Sequence, residues 1–272
     1  MKFRNVILSV ALLLLPTISR AAFDSNEPLL FPGGYSTADV LRVHEWLVAP
    51  PPWGWLAYGA TSRLTLMWDY PATLFGYPAA MVRYQLPTED PEVHYAIEVY
   101  GLIFGKDRTD SRSKGYRIDQ RSTQDWVHLE RSARLSSDWR WHAYVGANYA
   151  TYQKYSPNEE ATFDPVVYHR KMTPDFGTAL EWDAKPWMKV HLNYTYGNTF
   201  VFVDQVGHKH MIVGSLLFAP FSKDHAAILR NLRFDLSAIY VNVPTAHYSY
   251  TLPVPVYPTV YWQWGGSDDI QK

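Results

Sequence analysis

The chain has 272 residues, is 47% hydrophobic, carries a formal net charge of −1, and contains 20 Tyr, 12 Phe, 11 Trp and no Cys. Zero cysteine excludes disulfides, thiolate metal centres and a cysteine nucleophile. Near-neutral charge with no basic run excludes the electrostatic footprint of a nucleic-acid binder, and the length suits one large domain or two small ones.

The first segment sets the expected compartment. "MKFRN" is a positively charged start, "VILSVALLLLPTIS" is an apolar run, and "SRAAF" places small residues at Ser19 and Ala21, the pattern of a secretory signal peptide cleaved after Ala21. Its removal takes Lys2, Arg4 and Arg20 and leaves 22 basic against 26 acidic residues, a net of −4. After residue 21 no uniformly apolar run reaches the roughly 18 residues of a membrane-spanning helix. Residues 22–39, with their Pro and Gly breakers, are expected to form an irregular N-terminal periplasmic arm.

From residue 40 the pattern alternates with period two, the mark of strands with one apolar and one polar face. Twelve segments follow: 40–48, 53–60, 63–70, 79–86, 93–103, 125–135, 139–152, 176–183, 187–197, 211–218, 232–240 and 259–264. In "WRWHAYVGANYATY" (139–152), Trp139, Trp141, Ala143, Val145, Ala147 and Tyr149 share one face, and Arg140, His142, Tyr144, Asn148 and Tyr152 the other. "DWVHLERSARL" (125–135) sets Val127, Leu129, Ala133 and Leu135 against His128, Glu130 and Arg134, with Arg131 out of pattern. In "WMKVHLNYTYG" (187–197), Met188, Val190, Leu192, Tyr194 and Tyr196 oppose Lys189, His191, Asn193 and Thr195. "MIVGSLLF" (211–218) is apolar on both faces, and helical periodicity is nearly absent apart from "KDHAAILRN" (223–231).

The connections alternate short and long. "TS", "PTEDPE", "SSD" and "AKP" are short, whereas 104–124, 154–175, 199–210 and 242–258 are long. The tenth-to-eleventh connection is a long one among the short. Short turns on one rim and long loops on the other are the rhythm of a transmembrane antiparallel up-and-down β-barrel. In lipid only helices and closed barrels satisfy every backbone polar group, and strands of about 9–11 residues cross at a tilt. The expected fold is therefore all-β, a barrel of about twelve strands over residues 40–264 with a C-terminal tail at 265–272. The ring-bearing face should meet lipid and the charged face the lumen. Loops 104–124 and 154–175 are expected outside the cell.

"YGATSRLTLMWDYP" (58–71), continued by "AAMVRYQL" (79–86), resembles a turn in Gram-negative outer-membrane barrels: a strand ending in aromatic-Gly, a Thr/Ser-Arg turn, and an alternating strand leading to Pro. The resemblance is to the broad class of twelve-stranded, transporter-like outer-membrane proteins, and it implies an outer-membrane location reached by export. Partners implied are membrane lipids and lipopolysaccharide, the barrel-assembly machinery and a small polar solute. No nucleic acid and no cofactor are expected. Such proteins commonly end on a strand with a terminal aromatic, whereas "YWQW" here is followed by "GGSDDIQK".

The chain is not expected to be an enzyme. His247 and Ser249 in "AHYSY" reproduce the His-x-Ser spacing of outer-membrane lipid hydrolases. A serine nucleophile needs a base oriented by a third group, and "PVPVYPTVYW" supplies no Asn, Asp or Glu. His208 and His210 lie two apart as potential metal ligands with no carboxylate close in sequence, and Glu159, Glu160 and Asp164 lack the oxygen spacing of a calcium loop. What remains is the lumen. Arg83, Glu98, Glu130, Arg134, Arg140, His142, Glu181, Asp183, Lys189, Arg233 and Asp235 are the expected pore-lining residues, with Arg42 and Asp69 also pointing inward. Two functions fit such a wall. It binds or passes small polar solutes, or its charges pair across a narrow interior and leave a plugged structural, adhesion or assembly barrel acting through its outer loops.

Overall fold

The computed structural model describes Phe23 and residues 37–50, 54–70, 73, 79–102, 123–153, 168–197, 209–221, 224–244 and 249–266. The strands are β1 (Trp46–Val48), β2 (Leu56–Thr61), β3 (Leu64–Asp69), β4 (Ala79–Leu86), β5 (Val93–Leu102), β6 (Thr123–Arg134), β7 (Trp139–Gln153), β8 (Tyr168–Lys185), β9 (Met188–Gly197), β10 (Lys209–Phe218), β11 (Leu232–Pro244) and β12 (Ser249–Trp264). They form one closed antiparallel barrel in chain order, sealed where β1 pairs with both β2 and β12. At the short-turn end of the seam, Trp46–Val48 is paired on both sides, with Leu56–Tyr58 and with Trp262–Trp264. Each of the twelve predicted segments is a strand.

Three stretches differ by more than three residues, each for a physical reason. Residues 40–45 are not strand: His44 takes a left-handed φ of 61°, and the Glu45 carboxylate accepts from the Arg42 backbone N–H at 2.9 Å and its guanidinium at 2.8 Å, closing a turn before β1. Gly59 on β2 lets this turn approach, since a Cβ there would meet the Arg42 carbonyl oxygen at 1.9 Å. Residues 168–175, expected in a loop, are wall, because β8 runs through Pro174 with Gly146 opposite Asp175. Most of the expected loop 242–258 is the β11–β12 hairpin, running through Pro253 and Pro258. Proline removes a donor and is tolerated only where no ladder needs it. β1 pairs with β12 over Trp262–Trp264 alone, so the β1-facing edge of β12 above Trp262 asks for no donor there. Residues 103–122, 154–167, 198–208 and 245–248 lie outside the described residues, and so does the expected signal peptide.

The burial pattern is that of an inverted barrel. Leu66, Val82, Ile97, Val127, Leu129, Val145, Leu192 and Leu236 are exposed on the outer surface, Val127 at 53% and Leu192 at 54%. Arg83, Glu98, His128, Glu130, His142, Glu181, His191 and Asp235 are buried inside. Aromatic rings bound the apolar belt. Trp139 and Trp182 stack at 5.6 Å near the short turns, and Phe176 and Tyr196 at 4.9 Å nearer the long loops. Trp139 and Tyr149 lie ten residues apart on β7. At about 3.4 Å per residue and a roughly 45° tilt, that is about 24 Å of height, close to the ~25 Å belt of outer-membrane barrels. Arg131, the out-of-pattern charge, points outward at the short-turn rim, its guanidinium 5.8 Å from the Tyr95 ring centroid and 5.3 Å from that of Trp141.

The long connection on the short-turn rim contains one helical turn, α1 (Ala227–Arg230). Ile228 and Leu229 are exposed, and Trp262 donates its indole N–H to the Ile228 carbonyl at 3.1 Å. The turn thus sets two aliphatic side chains beside the lower aromatic girdle.

Candidate functional site

Period two aims one side chain in two inward, so adjacent strands stack their inward residues into layers across the wall. Arg83 on β4 sits in the first cluster. Its Nε lies 3.1 Å from Glu98 Oε2 on β5 and 3.0 Å from Glu130 Oε2 on β6, and a second guanidinium nitrogen also contacts Glu98. Glu98 accepts from the Trp126 indole N–H at 3.0 Å. His128 lies 3.6 Å from Glu98 and 3.0 Å from Asp175 on β8, whose other oxygen accepts from the Tyr144 hydroxyl at 3.1 Å. Glu98, His128 and Glu130 each bring one ligand atom within 4.8 Å of the others, the spacing of a cation site. The Arg83 guanidinium already supplies the positive charge between the two carboxylates.

Rings fill the space above this cluster. Tyr100 stacks on Trp126 at 3.8 Å, Trp126 on His128 at 5.8 Å, and His128 lies 4.4 Å from Tyr144. Gly177 makes room for the last of these, because a Cβ there would come within 2.3 Å of the Tyr144 ring. These inward rings, with buried Tyr261, are aromatic content that does not belong to the outer face.

A second cluster lies on β7–β9. Lys189 donates to Glu181 at 2.8 Å and contacts Asp183 at 2.9 Å, while His142 Nε2 lies 3.4 Å from Glu181. The wall of β9–β11 is quieter: Ser237 donates to Asp235 at 2.8 Å and lies 2.7 Å from Ser215, beside buried Asn193, Thr195, Met211 and Val213. Arg233 donates to the Arg230 and Leu232 carbonyls at 2.8 and 3.2 Å, and both Arg233 and Lys189 lie 5.4 Å from the ring of Phe23.

The third feature is the N-terminal segment. Residues 22–39 were expected beneath the barrel, yet Thr37, Ala38 and Asp39 are buried within it. The Ala38 N–H donates to Ser132 Oγ at 2.9 Å, and its carbonyl accepts from Gln85 at 3.3 Å. The Asp39 carbonyl accepts from Arg83 at 3.3 Å, and the Leu41 N–H donates to Thr65 Oγ1 at 2.8 Å. Thr37 Oγ1 lies 3.0 Å from Ser132 Oγ and 3.2 Å from His142 Nδ1. The Asp39 carboxylate lies 2.6 Å from His94 Nδ1 and 3.8 Å from Arg140. Side chains of the wall satisfy a backbone that has no strand partner, which is what a buried non-strand segment requires.

Ten of the eleven expected lining residues thus project into these interior clusters. Arg134 stands apart at the short-turn rim, where it pairs with Glu92 at 3.0 Å and is well exposed. Sequence reasoning passed over Asp39, which sits in a stretch without periodicity. It also passed over Asp175, which continues the period-two series Asp183, Glu181, Ala179, Gly177 but fell in the expected connection 154–175. Of the enzymatic and metal leads, His208, His247, Glu159, Glu160 and Asp164 lie outside the described residues. His210 faces outward, 2.9 Å from the Tyr194 hydroxyl.

Burial would raise the pKa of Asp39, but the His94 hydrogen bond and the positive charges of His142, His94 and Arg140 outweigh it. They hold the carboxyl at about 2, below its ordinary 3.8. A depressed carboxyl stabilises the fold above the unfolded value and loses that contribution as pH falls through the folded one. Asp39 should therefore contribute about 2 kcal/mol above roughly pH 4 that disappears toward pH 2. The unfolding free energies of the parent and Asp39→Asn, compared across that window, should converge as pH falls. A constant gap would contradict this.

No family model matches the chain, and no curated protein does. A search of solved structures finds an outer membrane channel from Pseudomonas putida F1, 10% identical, with a TM-score of 0.42, over 86% of this chain and 98% of that one.

Proposed function

We propose that the chain is an outer-membrane β-barrel that binds or passes small polar solutes along a mixed-charge interior, with the segment Thr37–Leu41 as an internal plug. The observation that carries this is the inversion of the barrel. Aliphatic residues bounded by aromatic girdles cover the outside, and charged residues fill the inside. A soluble barrel places its apolar residues within, whereas a barrel in lipid requires the opposite arrangement. Passage is favoured over pure scaffolding by how the plug is held. Its hydrogen bonds run to side chains of the wall and not to a strand ladder, so it can leave without opening the sheet.

A second reading, a closed barrel acting through its outer loops, draws on the pairing of Arg83 with Glu98 and Glu130 and of Lys189 with Glu181. Planar-bilayer conductance separates the two. The refolded parent should give small or rare steps, and a variant with residues 37–41 replaced by Gly and Ser should give larger and more frequent ones. Silence from both would favour the closed scaffold.

A further inference from the structure

The surroundings of Asp39 are a complete recognition site for a carboxylate, and the acid in it does not come from the wall. One carboxylate oxygen lies 2.6 Å from His94 Nδ1. The other accepts from Thr37 Oγ1 at 3.2 Å and faces the Arg140 guanidinium at 3.8 Å. His142 stands behind, 3.2 Å from Thr37 Oγ1 and 2.8 Å from Ser132 Oγ. The two oxygens are thus served separately, as a carboxylate with its several lone-pair directions demands, and two of the groups that face it are cationic or can become so.

The site is also reachable. His94 is the second residue of β5 and Arg140 the second of β7, both at the short-turn rim. The His94 side chain keeps 37% of its surface open to solvent. The wall carboxylates nearest in sequence have other cations beside them: Glu130 has Arg83, and Glu181 has Lys189. Glu181 also lies 3.4 Å from His142 Nε2, and the plug adds the Asp39 carboxylate on the His94 and Arg140 side of the cluster.

We propose that His94, Ser132, Arg140 and His142 form a binding site for a small organic acid at the short-turn mouth of the barrel, and that Asp39 occupies it as a built-in stand-in for that ligand's carboxylate. This rests on the reading of the barrel as a solute-binding protein and names the class of solute. Bringing in the acid displaces Asp39, so solute and plug compete for the same cations.

Acetate, the smallest carboxylate, tests the site by rescue. Thermal unfolding midpoints are measured on the full chain for the parent, Asp39→Ala, and Asp39→Ala combined with Arg140→Ala, each in acetate and in chloride at equal ionic strength. Acetate should return at least half of the midpoint that Asp39→Ala loses, while moving neither the parent nor the double variant. An acetate effect that is equal in the parent and Asp39→Ala, or that survives Arg140→Ala, would overturn the site. Should Asp39→Ala fail to fold, Asp39→Asn, which keeps the shape of the side chain, passes through the same comparison with the same criteria. A chain rescued by acetate yet silent in bilayers keeps the site and loses passage. A chain that conducts but is not rescued keeps passage and loses the site.

Discussion

Arg83→Ala should be the most destabilising single change in the interior, at about 3–5 kcal/mol. The guanidinium lies between Glu98 and Glu130 and also donates to the Asp39 carbonyl, and all three charged side chains are almost fully buried. Its removal strips both carboxylates of that guanidinium and leaves Glu98 to the His128 imidazole at 3.6 Å, and a buried charge stripped of its partner costs far more than the pair contributed when intact. The arrangement also predicts a repair. Glu98→Gln and Glu130→Gln introduced into Arg83→Ala should recover a large part of the loss, because neither site then holds a charge to be neutralised. Urea midpoints of the chain folded into lipid vesicles would measure both effects. A loss below about 1 kcal/mol, the range of an exposed ion pair, would mean that solvent reaches this cluster freely.

Leu236→Arg and Leu192→Arg should each cost about 2–4 kcal/mol, the depth-dependent cost of a cation at the middle of a barrel's lipid face. Leu236 is the fifth residue of β11 from the short-turn rim, and Leu192 is likewise the fifth residue of β9. Leu135→Arg provides the contrast. Leu135 is 61% exposed but follows the last residue of β6 at the short-turn rim, where the cost falls to about 0–1 kcal/mol. Equal costs at all three positions, or none, would mean that the outer belt does not meet lipid.

The barrel was legible because its physics has period two. Val127, Leu129, His128 and Glu130 point as their alternation requires, and one inward residue in every two suffices to recover the wall from β3 to β11. The alternation of short and long connections carried the closure, since a sequential antiparallel barrel must place its turns in that order. Legibility failed where a residue's environment came from outside its own strand. Pro253 and Pro258 fall in the expected long connection 242–258, yet both lie in β12, whose pairing with β1 covers Trp262–Trp264 alone. Tyr144 falls on the inward face by alternation, but its role there was not legible: the width of a twelve-strand interior has to be filled, and the rings of Tyr100, Trp126 and Tyr144 fill it. Asp39 carried no signal, because an insert inside a barrel obeys no periodicity and is specified only by the polar groups that receive it.

The central claim, that the chain segment at Ala38 closes a passage through the barrel, can be tested on one protein in two states. With no native cysteine, Ala38→Cys and Ser132→Cys provide the only thiols. They replace residues whose backbone N–H and side-chain oxygen lie 2.9 Å apart. Planar-bilayer conductance is recorded with the pair joined by a short cleavable thiol cross-linker, and again after the linker is cleaved. The barrel should be silent while the segment is tethered, and conductance steps should appear on release. Identical traces before and after cleavage would contradict the claim.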